Sequence, residues 1–319
     1  MTLHELRDQP SAARTRALAS FEEKFTYPLG PGRWFRISHG DDYPRFFRSM
    51  GEATCLIVED EGRVLGAVGI AIRPLILSDG QMCPTAYIGD LKVDPDLHGS
   101  RVFLTLARAA LNWARPRVGT AVGVVMDGTR ALPSLYTGRV GIPSFQEVGK
   151  LLIFRLPITR PQNPNIPKSD DEWSALADRG EERHRVLSRG RCYFAGGTPA
   201  DRSAIAPQWL IHPQGLACGR LEDTRLAKRL IDNAGNEMLN AHLACFAWND
   251  PTAASELLQA TRRRAAALGF DGLFTTISPG EMPALRGALN LSELIVAPAS
   301  VFGAGLESGL AWNINSSEI

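Results

Sequence analysis

At 319 residues the chain is longer than one ordinary domain and comfortable for two, since domains usually run about 100–200 residues. With 44% apolar and 22% charged residues it can bury sizeable cores, which excludes a disordered segment. The formal charge is +1 and no basic stripe stands out, so the electrostatic footprint of a nucleic-acid binder is missing; the densest cluster, Arg262-Arg263-Arg264, falls inside a helical pattern.

Trp34–Ser38 (WFRIS) reads as a short strand, with Asp41-Asp42 as a cap before a helical YPRFFRSM. Residues 54–59 (TCLIVE) and 63–77 read as strands joined through Asp60-Glu61-Gly62, a hairpin turn. Residues 86–93 (AYIGDLKV) form the next strand, ended by Asp94-Pro95. A helix over 100–115 sets Val102, Leu106, Ala109, Ala110 and Trp113 on one side, and Pro116 stops it. Then come a strand at 120–126, a short helix at 131–136 and a closing strand at 150–156 (KLLIFRL). Residues 160–168 (RPQNPNIPK) have linker composition.

Beyond the linker, Asp170-Asp171 caps a helix running to about Val186, and strands follow around 192–195 and 209–221. A strand at 239–248 ends at Asn249-Asp250-Pro251; a helix over 253–268 is stopped by Gly269; a strand at 272–277 and a short helix at 281–286 follow. This order repeats the first half. Val93-Asp94-Pro95 and Asn249-Asp250-Pro251 fill one slot, and Leu132-Pro133-Ser134-Leu135-Tyr136 and Met282-Pro283-Ala284-Leu285-Arg286 another. The reading is a duplicated domain, 1–158 and 170–319, with a linker at 159–169. The closing AWNINSSEI is expected as a strand pairing across the domain interface.

The five cysteines (Cys55, Cys83, Cys192, Cys218, Cys245) are odd in number and form no CxxC pair, and the six histidines lack an HExxH spacing. Neither a disulfide scaffold nor a metal site is expected. The polar first twenty residues contain no apolar signal core, and no run approaches the ~18 apolar residues of a membrane span. A cytoplasmic protein without membrane or nucleic-acid partners is expected.

Chemistry points to the strand, Val93-x-Pro95, loop and helix: a helix start leaves backbone N–H groups unsatisfied and carries partial positive charge, a seat for phosphate. Antiparallel hairpin strands, then this helix, then strand and short helix, resemble the GNAT (N-acetyltransferase) superfamily. LKVDPDLHGSRVFLTLARAAL, VGVVMDGTRALPSLYTGRVGI and KLLIFRL carry the resemblance over residues 34–156; the second half matches more faintly. It implies an α+β (α/β) fold of two tandem GNAT-like domains, each a mixed, mostly antiparallel central sheet flanked by helices. In that family a loop of pattern [RQ]-x-x-G-x-[GA] holds the CoA pyrophosphate on its amides. Here His98 takes the Arg/Gln place while Arg101 and Phe103 fill both glycine places. The implied CoA contacts are Leu91, Lys92 and Val93 on the strand, then His98, Gly99, Ser100, Arg101, Val102 and Phe103. In the second half Asp250 takes the basic place and would repel a diphosphate.

Family members often place a tyrosine on the short helix as the acid that protonates the departing thiolate. The resemblance implies Tyr136, one residue further from Ala131 than the family spacing; the second half has Arg286 there, which cannot act as an acid. For a base, Tyr87 and Gly89 share the face that family members use, and Asp90 reaches it only through a bulge; Asp90 is the carboxylate candidate. Cys83 has no visible histidine partner. His39 reads as a turn or cap residue, and Phe46 and Phe47 as core. The implied activity is direct attack of a small-molecule or peptide amine on acetyl-CoA (or another acyl-CoA), by a monomer or homodimer. The alternative, motivated by the filled glycine places, is a catalytically silent scaffold.

Overall fold

The computed structural model describes residues 1–29, 32–97, 101–129, 132–158, 173–288 and 294–319. The linker read at 159–169, the loop residues His98, Gly99 and Ser100, and Ala131 lie outside them. The first half runs β1 (Thr2–Leu6), α1 (Ala12–Glu22), β2 (Tyr27–Pro28), β3 (Trp34–Ser38), α2 (Arg45–Arg48), β4 (Glu52–Asp60), β5 (Arg63–Ile76), β6 (Met82–Val93), α3 (Arg101–Ala114), β7 (Thr120–Met126), α4 (Pro133–Tyr136) and β8 (Gln146–Pro157). β4 and β5 meet through Glu61-Gly62, both at positive φ (46° and 77°), as a two-residue hairpin turn requires; glycine adopts this without strain. In α3, Val102, Leu106, Ala110 and Ala114 recur every four residues, and that buried stripe packs on β4 and β5.

The second half runs β9 (Ser174–Ala175), α5 (Ala177–Leu187), β10 (Cys192–Phe194), α6 (Pro199–Arg202), β11 (Gln208–Ile211), β12 (Ala217–Glu222), β13 (Arg229–Asp232), β14 (Asn240–Trp248), α7 (Pro251–Ala267), β15 (Gly272–Ile277), α8 (Met282–Ala288), β16 (Ile295–Ala304) and β17 (Trp312–Asn313). Several elements differ from the sequence reading. β1, α1, β13 and β16 were not foreseen; 209–221 is two strands with a turn between; and the helix expected from Asp170 begins at Ala177.

One mixed, mostly antiparallel sheet crosses the molecule in the order β1-β4-β5-β6-β7-β16-β8-β15-β14-β12-β11-β9. The halves exchange their last long strands: β16 inserts between β7 and β8, and β8 pairs with β15. A small sheet, β13-β3-β2, also joins the halves. Among the described residues no helix is long and apolar enough to cross a membrane.

The closing segment threads back into the interior. Trp312 is fully buried against Gly149, where a Cβ would sit 2.2 Å from the indole, so any larger residue at 149 collides. Beyond it, a buried charge network joins both halves: Glu318 pairs with Arg73 and Arg202, and Glu222 with Arg202 and Arg220. Burial alone would raise the Glu222 carboxyl, but the two arginines win and hold it down at about 2. A depressed carboxylate contributes stability that is complete above its unfolded value and lost as pH falls through the folded one. The unfolding midpoint should therefore hold steady above about pH 5 and fall steeply below about pH 4. Glu222→Gln should start lower and lose less on acidification, as thermal melts across a pH series will show.

Candidate active site

The site begins where β6 and β7 part. They pair in parallel only over Thr85–Tyr87 and Thr120–Val122, then splay apart. β6 also carries a bulge: opposite β5 the register slips between Ala67 and Gly69, and Asp90 sits at φ 53°. A left-handed non-glycine residue is uncommon, and here it re-aims the side chain. Asp90 thus faces inward, as the sequence reading required a bulge to achieve.

The splay opens into a cavity of about 1140 Å³ that reaches both faces of the sheet. On the α3 face it is lined by small or aliphatic groups such as Ile88, Ala107, Ala110 and Gly123. On the other it is walled by Phe46, Phe47, Tyr87 and the small sheet's Tyr27 and Phe35. Of the expected CoA contacts, Leu91, Lys92 and Phe103 reach the cavity. Val102 packs beneath α3 beside Gly66, Val93 pairs with Gly66, and Arg101 is exposed. Tyr136 lines the cavity half-buried, its ring edge-on to Phe103 at 4.7 Å, and burial pushes its phenol up to about 12.

Asp94 could have capped α3 and repelled an anion. Instead its carboxylate accepts from the Asp96 N–H and pairs with Lys24 Nζ at 2.5 Å. The positive end of α3 is left without this acid.

Asp90 meets a cluster that the sequence gives no hint of. Its Oδ1 lies 3.2 Å from Lys92 Nζ, its Oδ2 lies 3.3 Å from His39 Nε2, and the Tyr43 hydroxyl donates to Oδ2 at 3.4 Å. Burial alone would raise the Asp90 carboxyl, but the Lys92 ammonium beside it holds it below the usual range. His39 sits in the turn after β3, as its place before Gly40-Asp41 suggests, with its ring buried against Asp90. Lys228, His242, Ser316 and Ile319 from the second half complete this wall. Burial drops Lys228 to about 7 and His242 to about 3, and the His242 Nδ1 sits 3.0 Å from the Ser316 hydroxyl.

The second half repeats the geometry and closes it. β14 and β15 pair in parallel only over 240–242 and 272–274, and β14 bulges at Cys245, again at φ 53°. Here the slot is filled by the closing segment. Cys245 N–H donates to Asn315 Oδ1 at 2.7 Å, Asn313 donates to the Phe246 carbonyl at 3.0 Å, and the Thr276 hydroxyl donates to the Ile314 carbonyl. Asp250 caps α7 itself, accepting from Ala253 N–H at 2.8 Å. A diphosphate would meet that carboxylate.

The model of the acetyltransferase (GNAT) family matches residues 19–137, the stretch that holds the splay, the bulge and Tyr136. Over that stretch the chain is similar to GNAT acetyltransferases. No curated protein matches the chain by sequence. Among solved structures, Saccharomyces cerevisiae N-myristoyltransferase with bound myristoyl-CoA aligns over 99% of this chain and 87% of its own, at 10% identity and TM-score 0.59. A second structure of that enzyme, with myristoyl-CoA and inhibitors, aligns over 99% and 83% at 9% identity and TM-score 0.59. At such identity the likeness is one of fold, and it extends through both halves. The family match over residues 19–137 and the fold likeness over both halves agree with the splayed strands and the doubled bulge.

Proposed function

We propose that the chain is an acyl-CoA-dependent N-acyltransferase that holds a single CoA thioester, in its first domain (1–158), with acetyl-CoA as the simplest donor. One observation carries this: the slot between β6 and β7 opens to a large cavity, whereas the equivalent slot between β14 and β15 is filled by the chain's own residues 313–316. The pyrophosphate would rest at the start of α3, where the helix dipole favours anions. The pantetheine arm would run along Leu91 and Lys92. An acceptor amine would enter beneath the β13-β3-β2 sheet and attack the thioester carbonyl, whose oxygen a β6 N–H polarises. As the C–N bond forms and the C–S bond breaks, Tyr136 protonates the sulfur and Asp90 takes a proton from the nitrogen.

The second domain (170–319) supplies wall rather than donor site, through Lys228, His242 and Ser316. We place the protein in the cytoplasm, acting on a small-molecule or peptide amine. Calorimetric titration with acetyl-CoA should give a stoichiometry of about one per chain, and thiol release should follow on adding primary amines. Two sites per chain would refute the assignment of a plugged slot. An absence of binding up to millimolar acetyl-CoA would instead leave a scaffold that keeps the GNAT fold.

A further inference from the structure

Behind Asp90 lie two buried groups to which N-acyl transfer as described gives no role. The side chain of His39 is fully buried; its Nδ1 sits 2.5 Å from Glu22 Oε1 and its Nε2 makes no hydrogen bond among the described residues. Glu22 is 4% exposed, and its other oxygen accepts the backbone N–H of His39 at 3.2 Å, so α1 and the turn after β3 are locked together. Neither residue reaches the cavity wall, whereas Asp90 does. Three acid–base groups therefore stand in a row, the outermost at the cavity and the innermost sealed from water.

Packing alone is a poor reason for this row. Burying two carboxylates against one imidazole is costly, and an apolar trio would fill the space at lower cost. Metal binding fits no better: the two ring nitrogens address different carboxylates, and Lys92 already places a cation 3.2 Å from Asp90. What the row suits is movement of a proton away from the cavity.

We propose that Asp90, His39 and Glu22 form a relay that accepts the surplus proton of an acceptor entering as an ammonium ion. This rests on the N-acyltransferase reading. Asp90 receives the proton from R–NH₃⁺ and passes it to His39 Nε2, while the proton on His39 Nδ1 moves to Glu22. The neutral amine then forms the C–N bond as the C–S bond breaks and Tyr136 protonates the sulfur; Asp90, ionised again, takes the second nitrogen proton, which returns through solvent to the Tyr136 phenolate. The stored proton returns by the same groups to solvent after product leaves. Asp90 would thus be a catalytic residue, and His39 and Glu22 act through it. The other titratable groups facing the row are Lys92 on β6, Lys228 ahead of β13, Tyr27 on β2, Tyr43 beyond β3 and Cys55 on β4. The two lysines favour an ionised Asp90 between turnovers, ready to accept.

The test uses the full chain with acetyl-CoA and two small amines: ethylamine, an ammonium ion at neutral pH, and 2,2,2-trifluoroethylamine, which is neutral there. His39→Gln and Glu22→Gln should lower kcat for ethylamine by about a hundredfold or more at neutral pH, with the deficit shrinking as pH rises. Their rates with trifluoroethylamine should stay close to those of the unsubstituted protein. An equal loss with both amines at every pH would overturn the relay and leave the pair a structural brace. If either buried substitution prevents folding, the unsubstituted protein carries the test alone. With a relay, kcat/KM for ethylamine stays flat from about pH 6 to about pH 8; without one it climbs about tenfold per pH unit, because only amine already neutral in solution can react. Acylation of neither amine, nor of any other primary amine, would sink the enzyme reading itself, a failure distinct from that of the relay.

Discussion

Tyr136→Phe should lower kcat by about 10²–10⁴-fold while leaving the affinity for acetyl-CoA nearly unchanged. The phenol sits at the cavity end of α4, edge-on to Phe103 and half-buried, so deleting one oxygen opens no cavity and breaks no ion pair. With its pKa pushed up to about 12, it stays protonated throughout the neutral range and is always ready to donate. The rate profile of the unsubstituted protein should therefore show no limb from Tyr136 between about pH 6 and about pH 9. Thiol release gives kcat and calorimetry gives the Kd for the donor. A variant that turns over normally would remove Tyr136 from the reaction and move attention to a water as the proton source. A variant that loses donor binding in proportion to its rate would make the ring a wall for CoA.

Much of this domain is visible before folding. The β4–β5 hairpin announces itself in Asp60-Glu61-Gly62, α3 in its four-residue apolar repeat, and the doubled plan in two Asp-Pro strand exits. The parts that escape are those set by distant partners. The bulge that turns Asp90 inward is one extra residue in the register between β5 and β6, and no local pattern around Gly89-Asp90-Leu91 encodes it. β16 carries Pro298 and several small residues, and it becomes a strand because β7 and β8 offer it an edge on each side. Glu22, His39 and Asp90 come from a helix, a turn and a strand, so no spacing joins them. Lys228 lies between Ala227 and Arg229 and looks like any surface lysine until the small sheet buries it. Short-range preference shaped the elements; long-range pairing assembled the cavity.

The same dependence on distant partners makes Glu318 the position where one substitution should cost most stability. Its carboxylate accepts from Arg73 at 2.9 and 3.1 Å, from Arg202 at 3.2 Å and from Asn315 at 3.0 Å, with both arginine side chains fully shielded from water. Glu318→Ala leaves Arg202 its bond to Glu222 but, among the described residues, leaves the Arg73 guanidinium with only the face of Phe194, 4.5 Å away. Removing one partner of a buried ion pair typically costs about 3–5 kcal/mol, because the orphaned charge keeps its desolvation penalty. Denaturant unfolding should show a loss of that size. The double variant Glu318→Ala with Arg73→Met should recover part of it, since the stranded charge goes too. A loss below about 1 kcal/mol would mean that water reaches the network and that the closing segment is held by Trp312 and its neighbours instead. The consequence reaches the site: Tyr87 donates to the Glu318 carbonyl at 2.6 Å, and Ser316 and Ile319 form part of the cavity wall. Loosening this anchor should therefore raise KM for the amine before it alters affinity for the donor, whose proposed seat is the start of α3.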